Sequence, residues 1–285
     1  MANPFKDLEA RPPPTSFLLL TFPSPRILVM TMSREKDLNC TSRSAILEMT
    51  SVFRWFDAEP NLTVAILTGA GTKAFSTGAD LKEWNANVAA AKAKGLPTEN
   101  LGPGNVPGAE ALSNRRGKKP VIAAVNGMAL GGGCENVLNC DIVLASSTAT
   151  FGCVEVQRGL AAYSGALPRL IRIVGLQRAS EFALTGKVIS AQKAMEWGIV
   201  NAVVPPGELM TEALKWAQEI AAISPDSVIC TRAMLREGWR TADVVEATNT
   251  SNAGVWAELQ RGKNMQEGLR AFQEKRKPVW GKPRL

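Results

Sequence analysis

The sequence of 285 residues contains no histidine and only one tyrosine. Histidine is the side chain that ordinarily titrates near neutral pH, and it is the commonest metal ligand in proteins. Its absence excludes Ser-His-Asp and Cys-His catalytic centres, zinc sites built on imidazole, and haem held by histidine. Acid–base chemistry in this chain must therefore use carboxylates, lysine, tyrosine, thiols or the backbone.

Cysteine and long apolar runs are also scarce. The five cysteines include no pair in Cys-x-x-Cys spacing, so the sequence predicts neither a disulfide framework nor a metal quartet. No run approaches the ~20 apolar residues of a membrane span. With 45% hydrophobic and 21% charged residues, the composition is that of an ordinary globular protein. We expect a soluble intracellular protein with free thiols, no metal site and no membrane span.

The net charge of +7 is concentrated at the end of the chain. Residues 261–285 contain eight lysines and arginines against two glutamates, a surplus of +6. Such a segment is either a solvated face or a surface for a phosphate-bearing ligand or nucleic acid. Because no RNA-recognition signature accompanies it, nucleic acid is the weakest of these interpretations.

The N-terminal half alternates short apolar runs with helical patterns, which indicates an α/β protein with parallel strand pairing. The predicted strands are residues 17–22 and 26–32, which form a hairpin, and residues 64–68, 121–125 and 142–145; residues 42–57 are predicted to form a helix. Glycine and proline crowd residues 95–119, which predicts a long loop. After Pro205 the patterns become helical, and the predicted helices are residues 208–223, 227–237 and 242–259.

Two glycine-rich turns each follow a buried strand. The first lies in residues 74–81, and the second, in residues 126–135, contains three consecutive glycines that open a predicted helix. The N–H groups at a helix start can hold an anion, or a carbonyl oxygen that becomes negative. The alternative is a plain turn that needs glycine for its backbone angles.

Two glutamates stand out near these turns. Glu135 lies in the first turn of the predicted helix, and Glu155 lies between two valines. Glu135 could simply complement the helix dipole, and Glu155 could lie at an exposed edge. Burial would instead raise their affinity for protons and suit them to acid–base chemistry, which a chain without histidine needs.

The sequence resembles the enoyl-CoA hydratase/isomerase (crotonase) family over residues 15–285. The stretches that carry the resemblance are residues 74–81, 121–141, 150–156, 164–175, 184–204 and 267–278. The resemblance implies a crotonase-type spiral of ββα units followed by a helical trimerisation region. The expected divisions are an N-terminal extension (1–14), a spiral core with the acyl-CoA site (15–205) and a helical oligomerisation region (206–285).

The resemblance also implies a chemistry. The backbone N–H groups of Ala79 and Gly132 would form an oxyanion hole for the thioester oxygen, Glu135 would hold and activate water, and Glu155 would exchange a proton at the α-carbon. Retention of both glutamates favours an enoyl-CoA hydratase, a lyase that adds water syn to a trans-2-enoyl-CoA. The alternatives are an enoyl-CoA or dienoyl-CoA double-bond isomerase and, with less support, a non-catalytic or RNA-binding relative. No cofactor is implied, because CoA is part of the substrate.

Further residues are assigned to substrate binding by their positions in the matching stretches. They are Ala74, Ser76, Gly78, Asp80, Leu81, Gly131, Tyr163, Trp256, Phe272 and Lys275. Phe272 and Lys275 are expected to approach the CoA moiety of a neighbouring subunit. Cys153 and Val154 replace the Gln-Pro that is typical before the second glutamate, and the 95–119 loop is expected to shape the acyl pocket.

Assembly and location follow from the same resemblance. A homotrimer, or a hexamer built as a dimer of trimers, is expected. The final residues Pro283, Arg284 and Leu285 resemble a C-terminal peroxisomal signal. Peroxisomal location is therefore expected, with a cytoplasmic or mitochondrial location as the alternative.

Overall fold

The structure, a computed structural model, describes residues 7–99, 101–102, 105–110 and 112–285. Residues 1–6 of the expected N-terminal extension, and four positions of the 95–119 loop, lie outside the described residues. Strands β1 to β10 span Leu18–Thr21, Ile27–Met32, Val64–Gly69, Ala74–Ser76, Val121–Val125, Met128–Leu130, Ile142–Ser146, Thr150–Gly152, Ile189–Ser190 and Ala202–Val204. Helices α1 to α11 span Arg43–Ala58, Leu81–Ala93, Gly132–Asn139, Ala166–Val174, Leu176–Thr185, Ala191–Glu196, Leu209–Ala221, Pro225–Glu237, Val244–Ser251, Ala257–Gln260 and Lys263–Gln273.

The strands form two sheets. The larger sheet has the order β1-β2-β3-β5-β7-β10, and the smaller has the order β4-β6-β8-β9. Strand β1 pairs antiparallel with β2, so the expected hairpin is confirmed, and β2, β3, β5, β7 and β10 pair in parallel. The predicted α/β class with parallel pairing is therefore correct.

Three successive ββα units connect the sheets: β3-β4-α2, β5-β6-α3 and β7-β8-α4. In each unit the first strand joins the large sheet and the second joins the small sheet. Because β4 pairs in parallel with β6, the turns that follow them emerge at the same edge of the small sheet. The expected ββα spiral thus brings the two glycine-rich turns together.

The central strands are buried on both faces, which explains their continuous apolar sequences. On one face, Ile27, Ile66 and Ile122 pack with Ala213 and Ala217 of α7. On the other face, the alternate residues of these strands pack with α1 and with residues of the smaller sheet. This two-sided core fixes the strands from which the site turns emerge.

The helical C-terminal region is present, with one correction. The predicted helix 242–259 is interrupted, because Gly254 has non-helical backbone angles within a short π-helical segment, Asn252–Trp256, that separates α9 from α10. In the basic segment, residues 261–285, the positive charges are partly paired within the chain, because Arg270 and Arg276 donate hydrogen bonds to Glu267. The division of the chain at residues 15 and 205 stays a prediction.

A buried lysine ties the start of β5 to the end of α1. Lys119 is 1% exposed, and its ammonium donates to the carbonyl oxygens of Phe56 and Glu59. Burial, reinforced by the neighbouring Lys118 charge, lowers the pKa of Lys119 to about 8. The Phe56 carbonyl would otherwise lack its helical partner, because Pro60 has no N–H. The Glu59 carbonyl, in contrast, also accepts the Leu62 N–H at 3.2 Å.

We expect Lys119→Met to lower the free energy of unfolding by about 1–3 kcal/mol, because it leaves the Phe56 carbonyl unpaired and removes one of the two donors to the Glu59 carbonyl. Urea titration measures this loss. The matched control is Lys73→Met at an exposed position, for which little change is expected. Equal stability of the two variants would contradict the proposed anchoring.

Candidate active site

The site is built on a close approach of two glycine turns. Gly78 follows β4 with a φ of 84°, a conformation that glycine adopts without strain. A methyl group on Gly78 would lie 2.5 Å from the backbone nitrogen of Gly132, so no larger residue fits without displacing that segment. The Ser76 hydroxyl accepts from the Gly78 N–H at 3.1 Å and donates to the Asn39 carbonyl at 2.8 Å, which fixes the first turn.

Two backbone amides meet where these turns touch. Gly132 is the first residue of α3, so its N–H has no acceptor within the helix. A methyl group on Gly132 would lie 3.8 Å from the Ala79 nitrogen and 3.9 Å from Glu135 Oε2. Ala79, Gly132 and Glu135 all line the same cavity. The two amides are thus placed beside a carboxyl group.

Glu135 is a buried carboxyl in the first turn of α3. It is 5% exposed, and its Oε1 accepts the Ser164 N–H at 2.9 Å. Burial, and then the nearby Glu155 carboxyl, raise the pKa of Glu135 to about 7, against the opposing effect of the Ala166 and Ser164 N–H groups. Its protonation state therefore changes near neutral pH, as an acid–base group requires.

Glu155 approaches the same glycines from the third ββα unit, β7-β8-α4. It begins a short 3₁₀ segment, Glu155–Arg158, and a methyl group on Gly131 would lie 3.6 Å from its Oε1. Burial raises the pKa of Glu155, as expected for a carboxyl held between valines. Its Oε2 is enclosed and has no hydrogen-bond partner within the described part of the chain. A carboxyl with a raised pKa and an oxygen that accepts no hydrogen bond from the described residues is suited to exchange a proton with a ligand.

The cavity has a buried end and an exposed mouth. The lining side chains that are no more than 9% exposed are Thr41, Glu135 and five others, which we call the buried end: Ile46, Met49, Leu112, Ser113 and Asn136. The mouth is formed by exposed residues, and these are Leu81, Arg158, Ala161 and Tyr163. A long thioester can therefore enter by its acyl end and leave its polar carrier outside.

The 95–119 loop contributes to both ends, as expected. Its residues Leu112 and Ser113 line the cavity. At the mouth, a methyl group on Gly102 would lie 2.8 Å from both Trp84 Cζ2 and Tyr163 Oη. The loop therefore packs directly on the residues that frame the entrance.

Seven of the residues assigned to the site from the sequence line the cavity. They are Ala79, Leu81, Gly131, Gly132, Glu135, Glu155 and Tyr163. Four others support the cavity without lining it. Ala74 and Ser76 are buried in strand β4, Gly78 lies behind Gly132, and Asp80 caps α2 and pairs with Arg34 at 2.7 Å. Their assignment to direct substrate contact stays a prediction.

The three C-terminal residues assigned to CoA binding do not line the cavity of their own chain. Phe272 is 85% exposed on α11, Trp256 lies in the π-helical segment, and Lys275 follows α11. Their contact with CoA in a neighbouring subunit stays a prediction.

Several lining residues were not found from the sequence. They are Thr41, Ile46, Met49, Thr77, Trp84, Leu112, Ser113, Asn136, Val154, Arg158, Leu160 and Ala161. Helical spacing places Asn136 on one face with Gly132 and Glu135, but it places Asn139 on that face as well, so this signal alone does not select Asn136. The others come from helices, turns and a loop whose position no local pattern specifies.

Across residues 7–99, 101–102, 105–110 and 112–285, no cluster of three or more histidine, cysteine, aspartate or glutamate side chains could hold a metal ion. Within the same ranges, no helix combines the length and the apolar character that crossing a membrane requires. The cysteines of this part of the chain are unpaired thiols, as expected.

Comparison with known proteins agrees with this geometry. The sequence profile of the enoyl-CoA hydratase/isomerase family matches residues 24–283. The chain belongs to this family. Its fold is shared with the enoyl-CoA hydratases of Bacillus anthracis (32% identity, TM-score 0.79, 93% of this chain and 99% of the other) and Mycobacterium tuberculosis (31%, 0.82, 93% and 98%).

Among curated family members, two fungal proteins are similar over nearly the whole chain. The mevalonyl-coenzyme A hydratase of Beauveria bassiana is 49% identical over 276 residues, 96% of this chain and 98% of the relative. That of Aspergillus fumigatus is 48% identical over 267 residues, 94% and 96% of the two chains. The chain is a CoA-thioester hydratase and hence a lyase.

We expect Gly78→Ala to lower kcat/KM by about 10²-fold, because a methyl group there displaces Gly132 and its amide. Gly95→Ala is the matched control. Gly95 also has positive φ, 63°, but a methyl group on it meets no atom within 4 Å. Steady-state kinetics of both variants, alongside urea titration, separate site crowding from backbone strain. Equal kinetic losses in the two variants would contradict the importance of the glycine contact.

Proposed function

We propose that the Ala79 and Gly132 amides hold the thioester oxygen while Glu135 and Glu155 add water to a conjugated 2-enoyl thioester. The observation that carries this proposal is the meeting of a buried carboxyl (Glu135), a half-buried carboxyl (Glu155) and two backbone amides in one cavity. Addition of water places negative charge on the thioester oxygen, and two N–H donors stabilise that charge as it develops.

Each carboxyl then has a defined task. Ionised Glu135 holds the water and takes its proton as the oxygen attacks the β-carbon, and protonated Glu155 gives a proton to the α-carbon. The raised pKa values of both groups support this exchange. Because the Glu135 and Glu155 carboxyls both lie beside the Gly131–Gly132 segment, we propose that they deliver the hydroxyl and the hydrogen to one face of the double bond, which is syn addition.

For the acyl group we propose a mevalonyl thioester. The relatives that are 49% and 48% identical over nearly all of the chain are mevalonyl-coenzyme A hydratases. A mevalonyl group carries a hydroxyl and a methyl group at the β-carbon and a second hydroxyl at its end. Loss of water between the α- and β-carbons gives 5-hydroxy-3-methyl-2-pentenoyl-CoA, and the proposed reaction interconverts these two thioesters.

The reaction transfers no electrons, so we propose that it uses no redox cofactor, and that CoA enters only as part of the substrate.

We also propose that the chain assembles as a trimer or a dimer of trimers. Large apolar side chains exposed in the C-terminal region support self-association: Leu235, Val244, Val245, Leu269 and Phe272. Peroxisomal location, which rests on residues 283–285, also remains a proposal.

Glu135→Gln and Glu155→Gln are each expected to lower kcat for hydration of 5-hydroxy-3-methyl-2-pentenoyl-CoA by 10²-fold or more, because each removes one proton-transfer group. Mass spectrometry of the product measures the reaction, since hydration adds the mass of one water and double-bond isomerisation leaves the mass unchanged. Glu219→Gln, at an exposed position on α7, is the control. Full activity in both site variants would refute the mechanism.

The raised pKa of Glu135 also predicts a pH-dependent stability. Its pKa is about 7 in the folded chain against an ordinary 4.5, so folding favours the protonated form. This stabilisation is complete below pH 4.5 and is lost as pH rises to 7. Glu135→Gln, which stays neutral, should therefore gain about 1–3 kcal/mol in unfolding free energy over the parent chain between pH 4.5 and 8. Urea titrations at several pH values measure the difference, and a pH-independent difference would contradict it.

A further inference from the structure

The buried end of the cavity contains two polar side chains that the proposed proton transfers do not use. Asn136 follows Glu135 on α3 and is 9% exposed, and Ser113 belongs to a 3₁₀ turn of the 95–119 loop and is 3% exposed. Both line the cavity. Neither side chain has a hydrogen-bond partner among the residues that the structure describes, yet their polar atoms are not enclosed as Glu155 Oε2 is.

A second asparagine on the same helix, Asn139, has a side-chain amide whose hydrogen bonds are made within the protein. Asn139 is 4% exposed, and its Nδ2 donates to the Leu112 carbonyl at 2.7 Å and to the Arg115 carbonyl at 3.1 Å. Its Oδ1 accepts from Arg236 at 2.9 Å. Asn139 is therefore satisfied by the fold, whereas Asn136, which is also buried, lines the cavity.

The surroundings of Asn136 and Ser113 restrict the group they can bind. Their neighbours at the buried end are Ile46, Met49 and Leu112, which are apolar. An alkyl chain in this space would exclude water and leave the amide and the hydroxyl unpaired, which lowers affinity by about ten- to a hundredfold. Because the buried end supplies no countercharge beyond the reacting carboxyls, the complementary group is neutral and able both to donate and to accept.

We propose that Asn136 and Ser113 form a specificity subsite for a neutral hydroxyl group carried on the acyl chain beyond the β-carbon. The subsite rests on the proposed hydration of a CoA thioester, and it selects hydroxylated acyl groups over alkyl groups of the same shape. Selection follows because a site built to hydrogen-bond a substrate hydroxyl rejects the analogue that lacks it.

The test compares two thioesters that differ by one hydroxyl: 5-hydroxy-3-methyl-2-pentenoyl-CoA and 3-methyl-2-pentenoyl-CoA. The parent chain should hydrate the first with a kcat/KM at least tenfold higher. In Asn136→Leu the ratio of the two kcat/KM values should fall 10- to 100-fold, and Ser113→Ala should lower it less, since it removes the smaller group.

A stability measurement separates recognition from a structural role. Asn136→Leu should keep or raise the urea midpoint of the free protein, because it breaks no side-chain hydrogen bond within the described part of the chain and adds an apolar side chain to an apolar wall. Asn139→Leu, the matched control, should lower the midpoint, because it breaks three hydrogen bonds.

The outcomes distinguish this inference from the function on which it rests. If the parent chain hydrates neither thioester, the proposed function and the subsite both fail. If it hydrates both thioesters and Asn136→Leu leaves their ratio unchanged, or lowers the urea midpoint as Asn139→Leu does, the hydration proposal survives and the subsite is wrong.

Discussion

The contact between Gly78 and the backbone nitrogen of Gly132 is the constraint on which the site depends. It lets two turns from different ββα units approach so closely that the Ala79 and Gly132 amides lie at one wall of the cavity. The approach is possible only because β4 and β6 are parallel neighbours in the small sheet. Backbone amides held by neighbouring strands of one sheet cannot reorient easily, which is the property that charge stabilisation in a reaction requires.

The same packing sets the electrostatics of the cavity. Glu135 lies in the first turn of α3, and Glu155 lies just after β8. The ββα repeat that aligns the amides therefore also brings the two carboxyls into one low-dielectric cavity. Two carboxyls there cannot both ionise readily, and burial and mutual repulsion raise the pKa of Glu135 to about 7. The fold thus destabilises a charge that the proposed chemistry needs, which is the ordinary relation between stability and activity at catalytic sites.

Much of this arrangement could be predicted from the sequence, because its determinants are local. Buried parallel strands have continuous apolar sequences. The turns after β4 and β6 contain glycines, which indicate that two backbone segments approach closely there. Some residues of these motifs also have a structural role that the sequence does not specify. Ser76 and Asp80 belong to the motif, but they hold the turn and cap α2. The break at Gly254 was missed because one glycine inside an otherwise helical pattern does not by itself predict a kink.

The buried end of the cavity could not be predicted, for a physical reason. Ile46 and Met49 lie on α1, Ser113 lies on a loop, and Asn136 lies on α3, so their meeting depends on tertiary packing that no window of sequence contains. Asn136 and Asn139 illustrate the point: both are buried asparagines on one helix, and the sequence gives no means to separate them. Only the surrounding donors and acceptors do so, because Arg236 and two carbonyls satisfy Asn139, and the cavity leaves Asn136 open to a ligand. Catalytic chemistry in this fold is therefore encoded in local motifs, whereas selection among acyl groups is encoded in how distant segments close the cavity.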